Sequence, residues 1–233
     1  MNNLKAITFS YDDGVTQDVR IIELFNKYGL KSTFNINSLL LGKRDTLLQD
    51  GVLVSHNKIK LQDVKKIYFG HEIASHTLTH ANLTNLSEKE IIKEVEEDRK
   101  RLSDIAGYNV VGMAYPCGEF NCDVIKTIKN NTGIKYARTT DSTHDFLFKK
   151  NLLKFNPTVY QHCEGDKMIE LAEKFLKLKT DKPSVFYIWG HSYELDIFNT
   201  WEKFEEFLKL ISGKKDIFYG TNKEVFEKFK LLK

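Results

Sequence analysis

Cysteine and proline are both scarce in this chain of 233 residues, at three of each. Cys117, Cys122 and Cys163 are an odd number without a regular framework, which argues against a disulfide scaffold. Three prolines and 13 glycines exclude a fibrous or low-complexity chain. No apolar run approaches ~18 residues, so no membrane span is expected. Charge of neither sign dominates: 35 basic and 32 acidic residues leave a net +3. A nucleic-acid binder would show a concentrated basic face. Here the lysines lie beside glutamates on helical faces, the pattern of a solvated surface. The opening Met1-Asn2-Asn3-Leu4-Lys5 has no charged region followed by an apolar one, so the expectation is a cytoplasmic protein unless a leader has been removed.

What is present is material for a large core: 41% hydrophobic residues, with 16 phenylalanines and 10 tyrosines. The length suits one domain over residues 1–233. Short apolar runs at 4–9, 32–36, 72–75, 110–115, 135–138, 152–156, 184–189 and 217–219 read as strands. Helical spacing falls between them at 17–28, 61–68, 122–130, 167–178, 200–211 and 222–231, with a long helix from Ser87 to about Ala106. Ser87 and Glu90 have the spacing of a capping box. Residues 37–70 are less regular and read as an insertion with short elements. Strand and helix alternate to the end, so the fold class is α/β, and the strand count suits a (β/α) barrel better than an open sheet. Chemistry in such barrels sits past the carboxyl ends of the strands. Asp12-Asp13, His76, Pro116-Cys117, Arg138 and His191 all fall there.

Asp12 and Asp13 end the first strand. Neighbouring side chains of an extended segment point in different directions. That suits one carboxylate on a metal and one on a proton, although Asp-Asp-Gly is also common turn chemistry. His76 and His80 are four apart, a spacing that brings both imidazoles onto one face of a helical turn. Two histidines and a carboxylate satisfy a catalytic zinc that keeps an open position. The same set fits non-haem iron.

Thr8-Phe9-Ser10-Tyr11-Asp12-Asp13-Gly14 and Ser75-His76-Thr77-Leu78-Thr79-His80 resemble the first two motifs of the NodB-type polysaccharide deacetylases, the family 4 carbohydrate esterases. The resemblance implies a distorted (β/α) barrel of about seven strands and a metal-dependent N-deacetylase acting on a carbohydrate or a small acetylated amino sugar. It implies Asp12 as general base and Asp13, His76 and His80 as ligands of a divalent metal, Zn2+ ahead of Co2+, Ni2+ or Fe2+. Later motifs depart from the family's pattern. In Ala114-Tyr115-Pro116-Cys117-Gly118 the usual arginine is missing, and Cys117 stands where a tyrosine is usual, with its backbone N–H kept as an oxyanion donor. Arg138 is a candidate for the missing cation beside Asp12. Trp189-Gly190-His191-Ser192-Tyr193-Glu194 takes the place of the final motif, so His191 is the candidate acid. The Asp-x-x-Asp-Trp motif has no clear counterpart, and Asp141 and Asp145 are the candidates for a partner to His191.

On this reading Asp12 takes a proton from water, the Cys117 N–H holds the oxyanion, and His191 protonates the departing amine. Three other readings compete: a related hydrolase of a small soluble amide, an inactive carbohydrate-binding domain, and an iron oxygenase. The remaining groups read blandly. Cys117 and Cys122 are free thiols, His56, His71 and His144 are loop or surface residues, and His162 follows the sixth strand towards the rim. Trp189 and Tyr193 form a slot beside His191 or pack in the core.

Overall fold

The computed structural model describes residues 3–162 and 165–232, so Cys163 lies outside the described residues. The chain opens with β1 (Lys5–Asp12), α1 (Asp18–Lys27) and β2 (Ser32–Ile36). A hairpin of β3 (Thr46–Gln49) and β4 (Val52–Ser55) follows, then α2 (Val64–Ile67) and β5 (Glu72–Ser75). Next come α3 (Glu88–Ile92), a π-helical segment Lys93–Glu97 and α4 (Asp98–Ala106). β6 (Gly112–Ala114), α5 (Cys122–Asn131), β7 (Tyr136–Arg138) and β8 (Val159–Tyr160) lead to α6 (Gly165–Lys177) and β9 (Ser184–Gly190). α7 (Glu194–Ile197), α8 (Trp201–Ile211), β10 (Ile217–Tyr219) and α9 (Asn222–Lys228) complete the chain.

Seven parallel strands stand in the order β7-β6-β5-β2-β1-β9-β8 and curl into a distorted (β/α) half-barrel. β10 pairs with residues 5–7 of β1, on the side that β2 takes from Phe9 onward. β1 is therefore flanked on both edges and buried on both faces, which is why its sequence has no solvent-facing alternation. Its two faces still differ. Ile7, Phe9 and Tyr11 face the outer core with Ile21, Phe25 and Phe204 of the flanking helices. The alternate residues face the barrel interior. Thr8 Oγ1 donates to Asn222 Oδ1 at 2.8 Å, and Asn35 Nδ2 donates to Ser10 Oγ and to Asp12 Oδ1, both at 2.8 Å. The two-residue period thus aims Asp12 inward at the carboxyl end of the strand.

One expected strand is displaced. Residues 152–156 do not form one: Leu152–Lys154 is a 3₁₀ turn, and Phe155 makes a single bridge to Arg138. Pro157 has no N–H to continue the ladder and disfavours helix before it, so pairing resumes at Val159 and Tyr160 against β9. Other boundaries move by a few residues. The expected helix at 61–68 divides into a 3₁₀ turn Leu61–Asp63 and α2. The last helix, capped by Thr221, stops at Lys228. The Ser87 capping box forms, with the Ser87 N–H donating to Glu90 Oε2 at 2.8 Å.

Candidate active site

The carboxyl ends of the strands carry a cluster of strained residues. Asp13 (φ 81°), Thr77 (φ 65°), His80 (φ 63°) and Cys117 (φ 57°) are all left-handed. Such conformations persist only where the surroundings over-determine them, and they collect at functional sites. Gly14 is also left-handed, at φ 62°, and a Cβ there would lie 2.8 Å from Ile36 Cγ2, so only glycine fits beside Asp13.

The histidine loop is clamped from the π-helical segment and α4. The Leu78 N–H donates to the Glu94 carbonyl at 3.0 Å, and the Thr79 N–H donates to Glu94 Oε2 at 3.0 Å. Glu94 lies in the π-helical segment, where the wider winding frees a carbonyl for such a bond. Asp98 Oδ1 accepts from the Ser38 N–H at 2.8 Å and Oδ2 from Ser75 Oγ at 2.6 Å, tying the ends of β2 and β5 together.

Asp13, His76 and His80 come together, their ligand atoms all within 4.8 Å of one another. His76 Nδ1 faces the Ala114 carbonyl at 2.9 Å, which leaves Nε2 directed to the cluster. A ligand histidine is commonly oriented by such a bond. Burial pushes the His76 pKa down to about 4, against the raising effect of Asp12, so the imidazole is neutral as a ligand must be. Asp13 Oδ1 lies 3.8 Å from His80 Nε2. Burial would raise the Asp13 pKa, but the His56 hydrogen bond and the Lys58 and His191 charges outweigh it and hold the pKa well below the usual range. The donor set fits a divalent ion.

Asp12 is 2% exposed and forms a buried ion pair with Arg138 Nη2. Arg138 Nε donates to Ser10 Oγ at 3.2 Å, and its guanidinium lies 4.3 Å from the Trp189 ring centroid. Trp189 in turn stacks on Tyr160 at 4.2 Å. Burial pushes the Asp12 carboxyl up, but Arg138, with His76 and His191, more than reverses this and leaves the pKa lowered. Asp12 Oδ2 is 3.9 Å from His76 Nε2, at the edge of the ligand cluster.

His191 follows β9. Its partner is neither Asp141 nor Asp145: Asp145 pairs with Lys149 at 2.9 Å. Glu194 takes that place, with Oε1 3.1 Å from His191 Nδ1 and Oε2 accepting the His191 N–H at 3.1 Å. Tyr160 Oη also donates to Glu194 Oε1. Burial would lower the His191 pKa, but the Glu194 charge and hydrogen bond raise it to about 9. The signal for Glu194 was its place three residues after His191 in a motif already singled out.

Two further residues come from the insertion. His56 is not a mere loop residue: its Nε2 is 3.4 Å from Asp13 Oδ2. Lys58 Nζ is 3.4 Å from Asp13 Oδ1. Tyr193 packs on His56 at 5.0 Å and on His191 at 5.0 Å. His71 is buried, not at the surface, and its Nδ1 accepts from the Ser32 N–H at 3.2 Å. His162 stacks on Phe198 and, with Glu194, lines a cavity of about 100 Å³. The Cys117 and Cys122 thiols are exposed and free. Cys117 sits in a 3₁₀ turn, Pro116–Gly118, at the end of β6.

A buried carboxylate paired with arginine, a two-histidine-one-carboxylate cluster and a histidine paired with glutamate thus gather at one end of a parallel barrel. The family model for polysaccharide deacetylases matches residues 2–137, and the chain belongs to that family. Arg138, His191 and Glu194 lie beyond the matched stretch. The chain is 25% identical over 147 residues to the peptidoglycan-N-acetylglucosamine deacetylase PgdA of Listeria monocytogenes, covering 62% of this chain and 28% of that protein. It is 24% identical over 134 residues to the peptidoglycan-N-acetylmuramic acid deacetylase PdaC of Bacillus subtilis, covering 57% of this chain and 26% of that one. The matched stretch thus spans little more than a quarter of either relative. Among solved structures, one from Mycobacterium smegmatis assigned to the polysaccharide deacetylases superposes with a TM-score of 0.71 at 16% identity, over 99% of this chain and 91% of that one. A family 4 carbohydrate esterase from Streptomyces lividans, solved with acetate, gives 0.56 at 14% identity over 91% and 90%. These likenesses establish the fold alone, the distorted (β/α) barrel. Among the described residues no helix is long and apolar enough to cross a membrane.

Proposed function

We propose that this protein is a metal-dependent N-deacetylase that releases acetate from an N-acetylated amino sugar in an oligo- or polysaccharide. The names of PgdA and PdaC, both deacetylases of N-acetylated wall sugars, support that substrate class. Under this proposal residues 1–233 act as one catalytic domain, because the ligand cluster and His191 come from distant parts of the chain.

The observation that carries the reading is geometric: the Asp13, His76 and His80 cluster stands beside a buried Asp12–Arg138 pair and a His191–Glu194 pair, and the charges push the two titratable groups in opposite directions. Asp12 is held ionised by Arg138, and His191 is held protonated by Glu194, its pKa at about 9. Groups whose environments separate their pKa values in this way are suited to act as base and acid. Asp13, His76 and His80 would hold the divalent ion, Zn2+ being the first choice for two imidazoles and a carboxylate. When bound, such an ion polarises the amide carbonyl and acidifies water.

The chain's own groups do the rest. Asp12 accepts the proton of the attacking water, with Arg138 and Asn35 fixing its two oxygens. The Cys117 N–H, displayed by the left-handed turn, donates to the oxyanion of the tetrahedral intermediate. His191 gives its proton to the departing amine, because an amide anion is far too basic to leave. Asp12→Asn and His76→Ala separate these roles. Asp12→Asn should bind metal normally and lose turnover, whereas His76→Ala should lose both. Metal content by atomic absorption and acetate release check this, and an active Asp12→Asn enzyme would sink the base assignment.

A further inference from the structure

Lys58 has no part in that mechanism, yet it is built into the site. Its side chain is 4% exposed, and its ammonium has no hydrogen-bond acceptor among the described residues. Its nearest charge is Asp13 Oδ1 at 3.4 Å, the same oxygen that His80 Nε2 approaches at 3.8 Å. The position is fixed by backbone pairing. Residues 57–59 run antiparallel to 14–16, with the Thr16 N–H donating to the Asn57 carbonyl at 2.8 Å and the Ile59 N–H to the Gly14 carbonyl at 2.9 Å. The bridge between Val15 and Lys58 aligns the lysine beside Asp13. Burying an ammonium costs far more than exposing it, so a solvated-surface explanation is excluded here.

Three carboxylates at the site already face a basic partner without an ion. Asp12 has Arg138, Asp13 has Lys58, and Glu194 has His191. A divalent cation placed among Asp13, His76 and His80 therefore meets a fixed positive charge already paired with its own carboxylate ligand, with the buried Asp18 carboxyl coupled to that same pair. Repulsion at such range in a protein interior changes a binding constant by tenfold or more.

We propose that Lys58 is an internal counter-ion for Asp13 that competes with the metal, keeping the metal-free site folded and weakening divalent-ion affinity. The inference rests on the metal-centre reading above. It makes the insertion that carries the β3–β4 hairpin a regulator of metal loading, in that it delivers the competing charge.

The test is a Zn2+ titration of the full chain against a chromophoric chelator, with wild type, Lys58→Met and Lys58→Arg side by side. Lys58→Met keeps the aliphatic stem and drops the charge, and its Zn2+ dissociation constant should fall at least tenfold. Lys58→Arg keeps the charge and should stay within about threefold of wild type. A Lys58→Met protein that folds only when Zn2+ is supplied supports the same conclusion, because the ion then replaces the lost cation. Unchanged or weaker Zn2+ binding in Lys58→Met, equal tightening in Lys58→Arg, or misfolding of Lys58→Met even with Zn2+ would overturn it. If wild type and variants alike take up no ion, the metal-centre reading itself falls, a result distinct from the failure of Lys58 alone.

Discussion

Glu194→Gln isolates the acid half of the reaction. In the wild type, burial opposes the charge on His191, yet Glu194 lifts its pKa from 6.5 to about 9. Glutamine preserves the size of the side chain and its capacity to accept a hydrogen bond but removes the charge. Burial is then opposed only by Asp13 and Asp12, and the pKa falls back towards the ordinary imidazole value of about 6.5. At pH 8 a group of pKa 9 is about 90% protonated, and one of pKa 6.5 about 3%. If His191 must be protonated to release the amine, kcat at pH 8 drops about thirtyfold, the ratio of those fractions. Near pH 5.5 both forms are largely protonated, and the two enzymes should agree within about twofold. The assay is acetate release from an N-acetylated chitooligosaccharide across pH 5 to 10, and the expected signature is an alkaline limb shifted down by about two units. A uniform loss at all pH values, with the limb unmoved, would refute the assignment of His191 as the acid and Glu194 as its charge partner.

Arg138→Met should act on the base. It leaves Asp12 buried and unpaired, so stability falls by about 3–5 kcal/mol, the range for breaking a buried ion pair. Asp12 in the wild type has a lowered pKa and contributes stability that is present above the unfolded value and lost as pH falls through the folded one. Without Arg138, burial raises the pKa, the sign reverses, and the variant should recover melting temperature relative to wild type as pH falls from 7 to 4. Equal melting temperatures at all these pH values would contradict the ion pair's role.

The parts of the site that could be read from the sequence are those set by short-range spacing. Asp12-Asp13 needs only one strand end, and His76 with His80 only one loop, whereas the two pairs meet through the pairing of β1, β2 and β5. Arg138 stood out because it follows a strand, and its pairing with Asp12 needed the curl of the sheet, since 126 residues separate them. Glu194 is legible only as a residue at i+3 from His191, whereas Asp141 and Asp145 are the candidates by position along the chain, and the fold gives His191 the nearer carboxylate. His56 and Lys58 were not legible, because nothing in their local sequence says that the insertion folds back along residues 14–16. The misplaced sixth strand has the same origin: residues 152–156 are apolar enough for a strand, but Pro157 and the bridge at Phe155 divide the sheet contact between two short pieces. Glu94 was hidden too, since its role depends on a π-helical winding with no evident sequence signature.

The proposed deacetylation requires an ion held by Asp13, His76 and His80. The most direct measurement is acetate release from a panel of N-acetylated and O-acetylated sugars before chelator, after chelator, and after adding Zn2+ back. Acetate should come from N-acetylated sugars, be lost on chelation and return with Zn2+. Acetate release that chelator leaves untouched, or a panel with no metal-dependent release, would contradict that requirement.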